Sequence, residues 1–277
     1  FDHGITHFDL ANNYGPSYGS AEETFGQIMK SSFAPYRDEL FISTKAGHDM
    51  WPGPYGNWGS RKHLMASLEQ SLKRMNLDYV DVFYSHRYDP DTPLEETLQA
   101  LVDIVRKGKA LYVGLSKYPL DAYLFACHYL RERDVPCLLY QGRYSMLVRE
   151  PESQGILNAV KENGSGFVAF SPLAQGLLTN RYLNGIPDDS RIARGGFLKK
   201  EALTPEVLSK IQALNERAAM RGQSLAEMAL AWLLKNETVT SVIVGASSVE
   251  QLGDSLKTLN HLSFEEEELH AIEKILM

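Results

Sequence analysis

The sequence predicts an α/β protein with the (β/α)8 barrel fold. Three observations lead to this prediction: strand-like and helix-like segments alternate, the strand-like segments recur mostly about every 30–40 residues, and several are almost continuously apolar. Near-continuous apolar strands are typical of a parallel sheet that is buried on both faces. Repeated β-α-β units imply right-handed crossovers between parallel strands, and 277 residues suit one such barrel.

Seven segments are apolar or β-branched enough to form strands. They are residues 5–10, 40–44, 79–85, 110–115, 136–141, 166–170 and 240–244. A barrel needs eight strands, and the chain opens with Phe1-Asp-His-Gly rather than Met. We therefore expect a single domain over residues 1–277 whose first strand and helix are absent. A doubly wound open sheet is the alternative, but no GxGxxG sequence follows any strand.

Helix signals separate the predicted strands. Ser60 is a suitable N-cap for a helix over residues 61–76, which carries apolar side chains at helical spacing. Thr92-Pro93-Leu94-Glu95 predicts a capping box with proline in the first turn, and Gly108 marks the end of that helix. Three further capping boxes are predicted at Ser224, Ser248 and Ser263. Residues 179–203 form an irregular stretch whose length is more typical of a functional lid than of a connector.

The composition restricts the class of protein. Acidic residues outnumber basic ones by 35 to 28, which gives a formal net charge of −7. An acidic chain does not suit a general binder of nucleic acid or of membrane surfaces, and no apolar run approaches the roughly 18 residues that span a bilayer. Cys127 and Cys137 are too few cysteines for a disulfide scaffold. We therefore predict a reducing, cytoplasmic location.

Polar side chains follow the first three predicted strands. Asp9 and Tyr14 follow the first strand. Lys45 follows the second and His86 the third. Because active sites of (β/α)8 barrels lie at the C-terminal ends of the strands, we expect all four at one mouth. An ammonium group lowers the pKa of a nearby tyrosine, so we predict that Lys45 tunes Tyr14 as a proton donor. Asp9 would orient Lys45, and His86 would bind a substrate oxygen.

These motifs resemble the aldo-keto reductase superfamily. The resemblance rests on Phe-Asp-x-Ala-x-x-Tyr-Gly from residue 8, Ser-Thr-Lys from residue 43 and the histidine after the third strand, and it covers essentially the whole chain. Residues 53–61 and 84–87 are most similar to a bacterial branch that reduces small aldehydes such as glyceraldehyde 3-phosphate and methylglyoxal. The β subunits of voltage-gated potassium channels are also similar. The resemblance implies that Tyr14 is the general acid and that His86 orients the carbonyl.

The resemblance also implies a nicotinamide cofactor. Ser116 and Gln141 match residues that hold the carboxamide, although Lys117 stands where the family has the Asn of a Ser-Asn pair. Phe170 matches the aromatic ring that stacks on the nicotinamide. The other implied contacts are Ser171, Pro172, Leu173, Gln175, Gly176, Leu178, Arg181, Arg191, Gly245, Ser247, Gln251 and Asp254. No Lys or Arg lies between residues 245 and 254 to hold a 2′-phosphate, so we expect NADPH but leave NADH open.

Loops near the predicted mouth supply candidates for the substrate site. Trp51, Tyr55 and Trp58 lie in a Gly/Pro-rich loop after the second strand. Arg87 suits either a substrate phosphate or an ordinary salt bridge. His3 and His7 have metal-like spacing, but two ligands do not complete a zinc site, so we expect no metal. The expected partners are a small carbonyl substrate and further copies of the chain, since relatives often form tetramers or octamers.

Two alternatives to a carbonyl reductase remain open at this point. One is a regulatory or sensor subunit that binds the cofactor and turns over slowly, because the channel-subunit branch keeps the same four residues. The other is a Schiff-base aldolase, because a strand-end lysine in a barrel can form an imine. The aldolase fits Asp9 and Tyr14 less well, since a paired lysine stays protonated.

Overall fold

The structure is a computed structural model that describes residues 1–183, 185–188, 190, 192–193, 195 and 198–277. The chain divides into two compact units, which are described separately. The first unit contains Phe1–Gln141 and Ala159–Gly166, and the second contains Gly142–Asn158 and Phe167–Met277. The assignment of residues 1–277 to one domain stays a prediction.

The first unit is built on parallel strands. These are β1 (His7–Asp9), β2 (Phe41–Ala46), β3 (Val80–Ser85), β4 (Ala110–Ser116) and β5 (Cys137–Arg143). Each strand pairs in parallel with the next one along the chain. The pairing sets Asp9 opposite Ser43 and Lys45 opposite Tyr84. The parallel arrangement inferred from the β-α-β repeats is therefore confirmed in this unit.

Helices connect these strands. They are α1 (Ser20–Ile28), α2 (Arg61–Met75), α3 (Leu94–Arg106) and α4 (Leu120–Arg131). Consecutive helices contact one another, α1 with α2, α2 with α3 and α3 with α4. Each buries one apolar stripe, as α3 does with Leu98, Leu101 and Val102.

Tyr84 fills the interior of the first unit. All six residues of β3 are buried, and Tyr84 is fully inaccessible to solvent. On β4, Gly114 leaves space for the Tyr84 ring, because a Cβ atom at that position would lie 2.3 Å from Tyr84 Cε1. Lys45 Nζ lies 5.5 Å from the centroid of the same ring. Close packing at Gly114 therefore helps to position Lys45, and it explains a glycine in the middle of a strand.

A buried charged contact joins α1, α2 and β2. Glu22 on α1 is fully buried. It accepts hydrogen bonds from Arg74 Nε on α2 at 2.7 Å and from Thr44 Oγ1 on β2 at 2.5 Å. A buried carboxylate is costly unless its lone pairs are satisfied. Because Thr44 directly precedes Lys45, this contact also holds the strand that carries Lys45.

The second unit contains β6 (Gly166–Phe170) and β7 (Val239–Val242), which pair in parallel. Its longer helices are α7 (Pro205–Met220), α8 (Leu225–Leu234), α9 (Val249–Lys257) and α10 (Glu266–Leu276), while the short helices α5 (Glu150–Ser153) and α6 (Ile156–Glu162) lie between β5 and β6 in the chain. Helix α8 contacts β7 and buries Trp232. All seven predicted strands are present, and each end lies within two residues of its predicted position.

Serine side chains begin three of the predicted helices. Ser60 accepts a hydrogen bond from a first-turn amide of α2. Ser224 and Glu227 form the predicted capping box of α8. Ser248 caps α9 by accepting from the backbone N–H of Gln251, but its predicted capping box is wrong, because Gln251 Oε1 accepts from Ser247 N instead. These caps satisfy amides that have no partner inside the helix.

Two other predicted capping boxes are wrong. Thr92 does not cap α3, because Pro93, predicted as the first helical residue, is itself the N-cap, and the Thr92 hydroxyl donates to Asp89 Oδ2 at 2.6 Å. The capping box of α10 is formed by Glu265 and Glu268, two residues after the predicted Ser263. At α10 the carboxylate of Glu265 accepts from the helix amide in place of the Ser263 hydroxyl, and a charged acceptor forms the stronger hydrogen bond.

Candidate active site

Three neighbouring strands of the first unit carry the predicted catalytic residues. Asp9 ends β1, Lys45 lies one residue before the end of β2, and His86 directly follows β3. Backbone hydrogen bonds continue past the strands, from Asn12 N to Lys45 O at 3.0 Å and from His86 N to Ala46 O at 2.9 Å. The aligned strand ends bring the predicted residues together.

Asp9 and Lys45 form a buried ion pair. Lys45 Nζ donates to Asp9 Oδ2 at 2.5 Å and to Leu10 O at 2.7 Å. The Lys45 side chain is fully buried, and that of Asp9 is 7% exposed. The carboxylate and the carbonyl hold the ammonium in one place. Lys45 is therefore an oriented positive charge, as predicted from the motif.

Two further side chains hold Asp9. Ser43 Oγ donates to Asp9 Oδ1 at 2.8 Å, and Gln141 Nε2 donates to the same oxygen at 3.0 Å. His7 Nε2 lies 3.1 Å from Ser43 Oγ. Sequence reasoning missed Ser43 and assigned Gln141 only to the cofactor. The parallel register, which sets Ser43 opposite Asp9, is the signal that identifies Ser43.

Tyr14 lies between the ion pair and His86. Lys45 Nζ is 5.1 Å from the centroid of the Tyr14 ring. The Tyr14 and His86 rings are 5.8 Å apart between centroids and nearly perpendicular, at 76°. The backbone of Tyr14 is tied to Ala11 and Ala21 by hydrogen bonds of 3.1 and 3.2 Å. All four predicted catalytic residues therefore belong to one cluster.

The pKa of Tyr14 shifts in the direction opposite to the prediction. Burial raises the pKa of the phenol above its ordinary value, and the Asp9 carboxylate adds to the rise. The Lys45 ammonium lowers the pKa, as predicted, but by less than the other effects raise it. Tyr14 therefore keeps its proton at neutral pH, which suits a group that must deliver one.

His86 is a neutral imidazole at neutral pH. Burial, followed by the charges of Lys45 and Lys117, lowers its pKa well below the ordinary value. Its Nδ1 atom is buried and has no hydrogen-bond partner among the residues that the structure describes. A neutral imidazole has one N–H donor, so His86 can donate to a carbonyl oxygen without carrying a charge.

The four predicted substrate residues fall into two pairs. Arg87 directly follows His86 in the chain, and its guanidinium lies 3.5 Å from the centroid of the Trp58 ring. Trp51 and Tyr55 contact His63 of α2 instead. The Trp51 and His63 rings are 5.1 Å apart, and His63 Nδ1 is 2.9 Å from the Tyr55 carbonyl oxygen. The structure therefore places Trp58 and Arg87 next to the catalytic cluster, while Trp51 and Tyr55 pack on a helix.

The two residues predicted to hold the carboxamide lie on adjacent strands. Ser116 ends β4 opposite Gln141 on β5. Ser116 is 1% exposed, and its Oγ is buried with no hydrogen-bond partner among the described residues. A buried hydroxyl without a partner is costly. Ser116 therefore fits a ligand with amide groups, such as a nicotinamide carboxamide.

In the second unit, the residues predicted to lie beside the nicotinamide and the pyrophosphate follow β6. Phe170 is half-buried and Pro172 is buried. Four residues of this loop have positive φ angles: Ser171, Ala174, Gln175 and Gly176. Leu173 O accepts from Gly176 N at 2.8 Å and from Leu178 N at 3.2 Å. These two amides, which were predicted to face a phosphate, donate within the loop.

The remaining cofactor residues of the second unit are on its surface. The exposed ones are Arg181, Gly245, Ser247, Gln251 and Asp254. Gln251 Oε1 accepts from Ser247 N at 2.8 Å and from Ser247 Oγ at 3.0 Å. Asp254 pairs with Lys257 at 2.7 Å. Arg191 lies outside the described residues. The cofactor contacts of this unit stay predictions.

The described residues offer neither a metal site nor a membrane-spanning helix. Within the described ranges, no group of three or more His, Cys, Asp or Glu residues is arranged to hold a metal ion. No helix of the described part combines the length and apolar character that a bilayer requires. Cys127 and Cys137 are both free and buried.

The family to which the chain belongs indicates the role of the cluster formed by Asp9, Tyr14, Lys45 and His86. Residues 1–277 match the family model described as the aldo/keto reductase family. The chain belongs to the aldo/keto reductase family. This confirms the resemblance noted in the sequence, and it makes the chain an oxidoreductase. Members of the family use NAD(P)H and act on small carbonyl substrates.

Both branches suggested by the motifs occur among the relatives of this aldo/keto reductase. The L-glyceraldehyde 3-phosphate reductase of Escherichia coli O157:H7 is 57% identical over 279 residues, which cover 99% of this chain and 80% of the relative. A probable voltage-gated potassium channel subunit beta of Arabidopsis thaliana is 37% identical, and the match covers 94% of this chain and 79% of the relative.

A solved structure confirms the fold class. A crystal structure of a thermostable aldo-keto reductase in complex with the inhibitor epalrestat matches this reductase with a TM-score of 0.75 and 30% sequence identity. The match covers 99% of this chain and 83% of the solved one. The predicted (β/α)8 fold is therefore confirmed.

Proposed function

We propose that the chain is an NADPH-dependent reductase of small aldehydes and ketones, with glyceraldehyde 3-phosphate and methylglyoxal as candidate substrates. The observation that carries the proposal is the buried Lys45–Asp9 ion pair beside Tyr14 and His86, in a member of the aldo/keto reductase family. The 57% identity to an L-glyceraldehyde 3-phosphate reductase supports a phosphorylated triose as one substrate.

In this proposal Tyr14 donates the proton that converts the carbonyl into an alcohol. Burial keeps its pKa high, so the phenol is protonated at neutral pH. As the proton leaves, the Lys45 ammonium stabilises the phenolate that forms. Asp9 is a positioning residue that holds this ammonium. The neutral His86 donates a hydrogen bond to the carbonyl oxygen and orients it for the transfer.

A bound nicotinamide cofactor would supply the hydride. The buried Ser116 hydroxyl, which has no hydrogen-bond partner in the described part of the chain, supports a role in holding the carboxamide, with Gln141 on the adjacent strand. No Lys or Arg lies between residues 245 and 254 to pair with a 2′-phosphate. NADH is therefore retained as a candidate beside NADPH.

A second candidate is a regulatory subunit that binds the cofactor and turns over slowly. The 37% identity to a potassium channel subunit beta favours it. Such a protein would bind the nucleotide tightly and reduce every aldehyde very slowly. The aldolase alternative is weaker, because Lys45 is an ion-paired ammonium and an imine requires a free amine.

The proposal is tested by titrating the protein with NADPH and then with NADH while tryptophan fluorescence is recorded. Methylglyoxal or glyceraldehyde 3-phosphate is then added to the same sample, and the absorbance of the reduced nicotinamide is recorded. Quenching followed by loss of absorbance supports a reductase and ranks the two nucleotides. Tight binding with very slow loss favours the regulatory subunit. If neither nucleotide binds to a folded sample, the proposed function is wrong.

Location and assembly belong to the same proposal. We infer a cytoplasmic protein from the two free, buried cysteines. A homo-tetramer or homo-octamer is the assembly that the resemblance implies. Light scattering on the purified chain measures its mass, and a mass equal to one 31.1 kDa chain would contradict that assembly.

A further inference from the structure

A second group of basic side chains lies next to His86. It consists of Lys117, His48 and Arg87, and we call it the basic cluster. Lys117 Nζ donates to His48 Nε2 at 3.2 Å. The His48 and His86 rings are 4.5 Å apart and perpendicular, at 88°. The basic cluster therefore continues the catalytic cluster on the side of His86.

Within the described residues, the cations of the basic cluster donate their hydrogen bonds to neutral acceptors. Arg87 Nε donates to Gly47 O and Arg87 Nη2 to Asn57 Oδ1, both at 2.7 Å, and both acceptors are neutral. The nearby carboxylates, Asp49 and Asp89, act on Arg87 electrostatically. Among the residues that the structure describes, neither Arg87 nor Lys117 forms a salt bridge with a carboxylate. The cluster thus carries positive charge with no directly bound carboxylate among the residues that the structure describes.

Electrostatic effects within the cluster agree with this excess of positive charge. Burial, followed by Arg87 and Lys45, lowers the pKa of Lys117 below its ordinary value. Burial, followed by Lys117 and Arg87, lowers the pKa of His48 to about 4. The cluster therefore presents two cations and the neutral imidazole of His48, next to the neutral imidazole of His86. An anion bound there would relieve the mutual repulsion of the cations.

The backbone of Lys117 is unusual. Its φ angle is 55°, in the left-handed region that favours glycine, and its N–H donates to Gln141 O at 3.2 Å. Such conformations persist where the surrounding structure holds them, and they cluster at ligand sites. This conformation occurs at the strand end, where the Lys117 ammonium contacts His48.

We propose that Lys117 and Arg87 bind the phosphate of a short-chain aldehyde whose carbonyl lies against Tyr14 and His86. His48 is a positioning residue, because its Nε2 accepts from Lys117. One imidazole ring separates Lys117 from His86, a span that suits a short substrate with an anionic group at one end and a carbonyl at the other. The proposal rests on the proposed reductase function and names the residues that select its substrate.

The first test compares two aldehydes that differ only in the phosphate, glyceraldehyde 3-phosphate and glyceraldehyde. We expect Lys117→Met to lower the ratio of kcat/KM for the phosphorylated over the neutral aldehyde by about 10- to 100-fold, mainly through KM, because a charged hydrogen bond is lost. Lys117→Arg should keep most of the ratio. Lys73→Met, which removes an exposed lysine from α2, is the matched control and should leave the ratio unchanged.

The same assay tests His48. His48→Gln keeps an acceptor for Lys117, so it should keep more of the ratio than His48→Leu.

A loss of kcat/KM that is equal for both aldehydes in Lys117→Met would overturn the proposal, because Lys117 would then act through the cofactor or the fold. An unchanged ratio would overturn it as well.

A binding measurement separates this proposal from the proposed function. Inorganic phosphate is titrated by calorimetry into the wild type and into Lys117→Met, each saturated with nucleotide. We expect the Kd for phosphate to rise at least about tenfold in the variant. Phosphate that competes with the nucleotide, or that binds both proteins equally, would overturn the proposal. If no aldehyde is reduced but phosphate binding still requires Lys117, the proposed function fails and the anion site stands.

Discussion

Single residues show opposing effects on the proton of Tyr14. The ammonium of Lys45 favours the phenolate, while burial and Asp9 favour the phenol, and burial is the largest of these effects. A general acid must hold its proton until the carbonyl oxygen takes it. The residues around Tyr14 therefore keep it protonated and place a cation where the phenolate forms.

Substitution of Tyr14 tests its role as the acid. We expect Tyr14→Phe to lower kcat for aldehyde reduction by about 10²- to 10⁴-fold, the range for loss of a general acid, while the Kd for the nucleotide stays close to the wild-type value. Steady-state kinetics and fluorescence titration give the two quantities. Tyr36→Phe, at an exposed tyrosine, serves as the control. Unchanged turnover in Tyr14→Phe would rule out this role.

His48 predicts a dependence of stability on pH. Its pKa is about 4 in the folded chain and about 6.5 when unfolded. Between these values the unfolded state binds more protons, so the contribution of His48 to stability is present above pH 6.5 and is lost as the pH falls toward 4. We expect the difference in free energy of unfolding between wild type and His48→Gln to shrink from pH 7.5 to pH 4.5 in urea titrations. A difference that does not vary with pH would contradict this assignment.

At the scale of elements, the contact between β3 and β4 is tightly packed at Gly114. A Cβ at Gly114 would meet Tyr84 Cε1 at 2.3 Å. We expect Gly114→Ala to lower the free energy of unfolding by about 1–3 kcal/mol, as overpacked cores do. Gly253→Ala in α9 is the control, because no atom lies within 4 Å of its added Cβ. Urea unfolding compares the two, and equal stabilities would contradict the packing argument.

The same scale shows which local signals in the sequence were reliable. Ser60 and Ser224 cap the predicted helices because the amides that donate to their hydroxyls lie in the adjacent turn. The prediction for Thr92 is wrong because Pro93 is the N-cap and the Thr92 hydroxyl donates to the carboxylate of Asp89, a residue that lies outside the four-residue pattern. Strand positions were predictable within two residues because burial on both faces requires long apolar runs.

At the scale of the whole molecule, the prediction of one domain can be tested through the three tryptophans. Trp51 and Trp58 belong to the first unit and Trp232 to the second. In a Trp51→Phe/Trp58→Phe variant, fluorescence reports only on the second unit, while far-UV circular dichroism reports on both. We expect coincident urea transitions, because a single domain unfolds cooperatively. Two separate midpoints would contradict the one-domain prediction.

The sequence by itself determined the alternation of strands and helices, the family and the four catalytic candidates. The periodicity of apolar residues and a few short motifs indicate these features, and both depend only on residues close together in the chain. Only the tertiary structure decided the direction in which the Tyr14 pKa shifts. It also decided the hydrogen bond from Ser43 to Asp9 and the position of His48 between Lys117 and His86. Burial and register across strands arise from residues far apart in the chain. The sequence motifs therefore identify the reacting groups, while tertiary packing determines their protonation, their orientation and the residues around them.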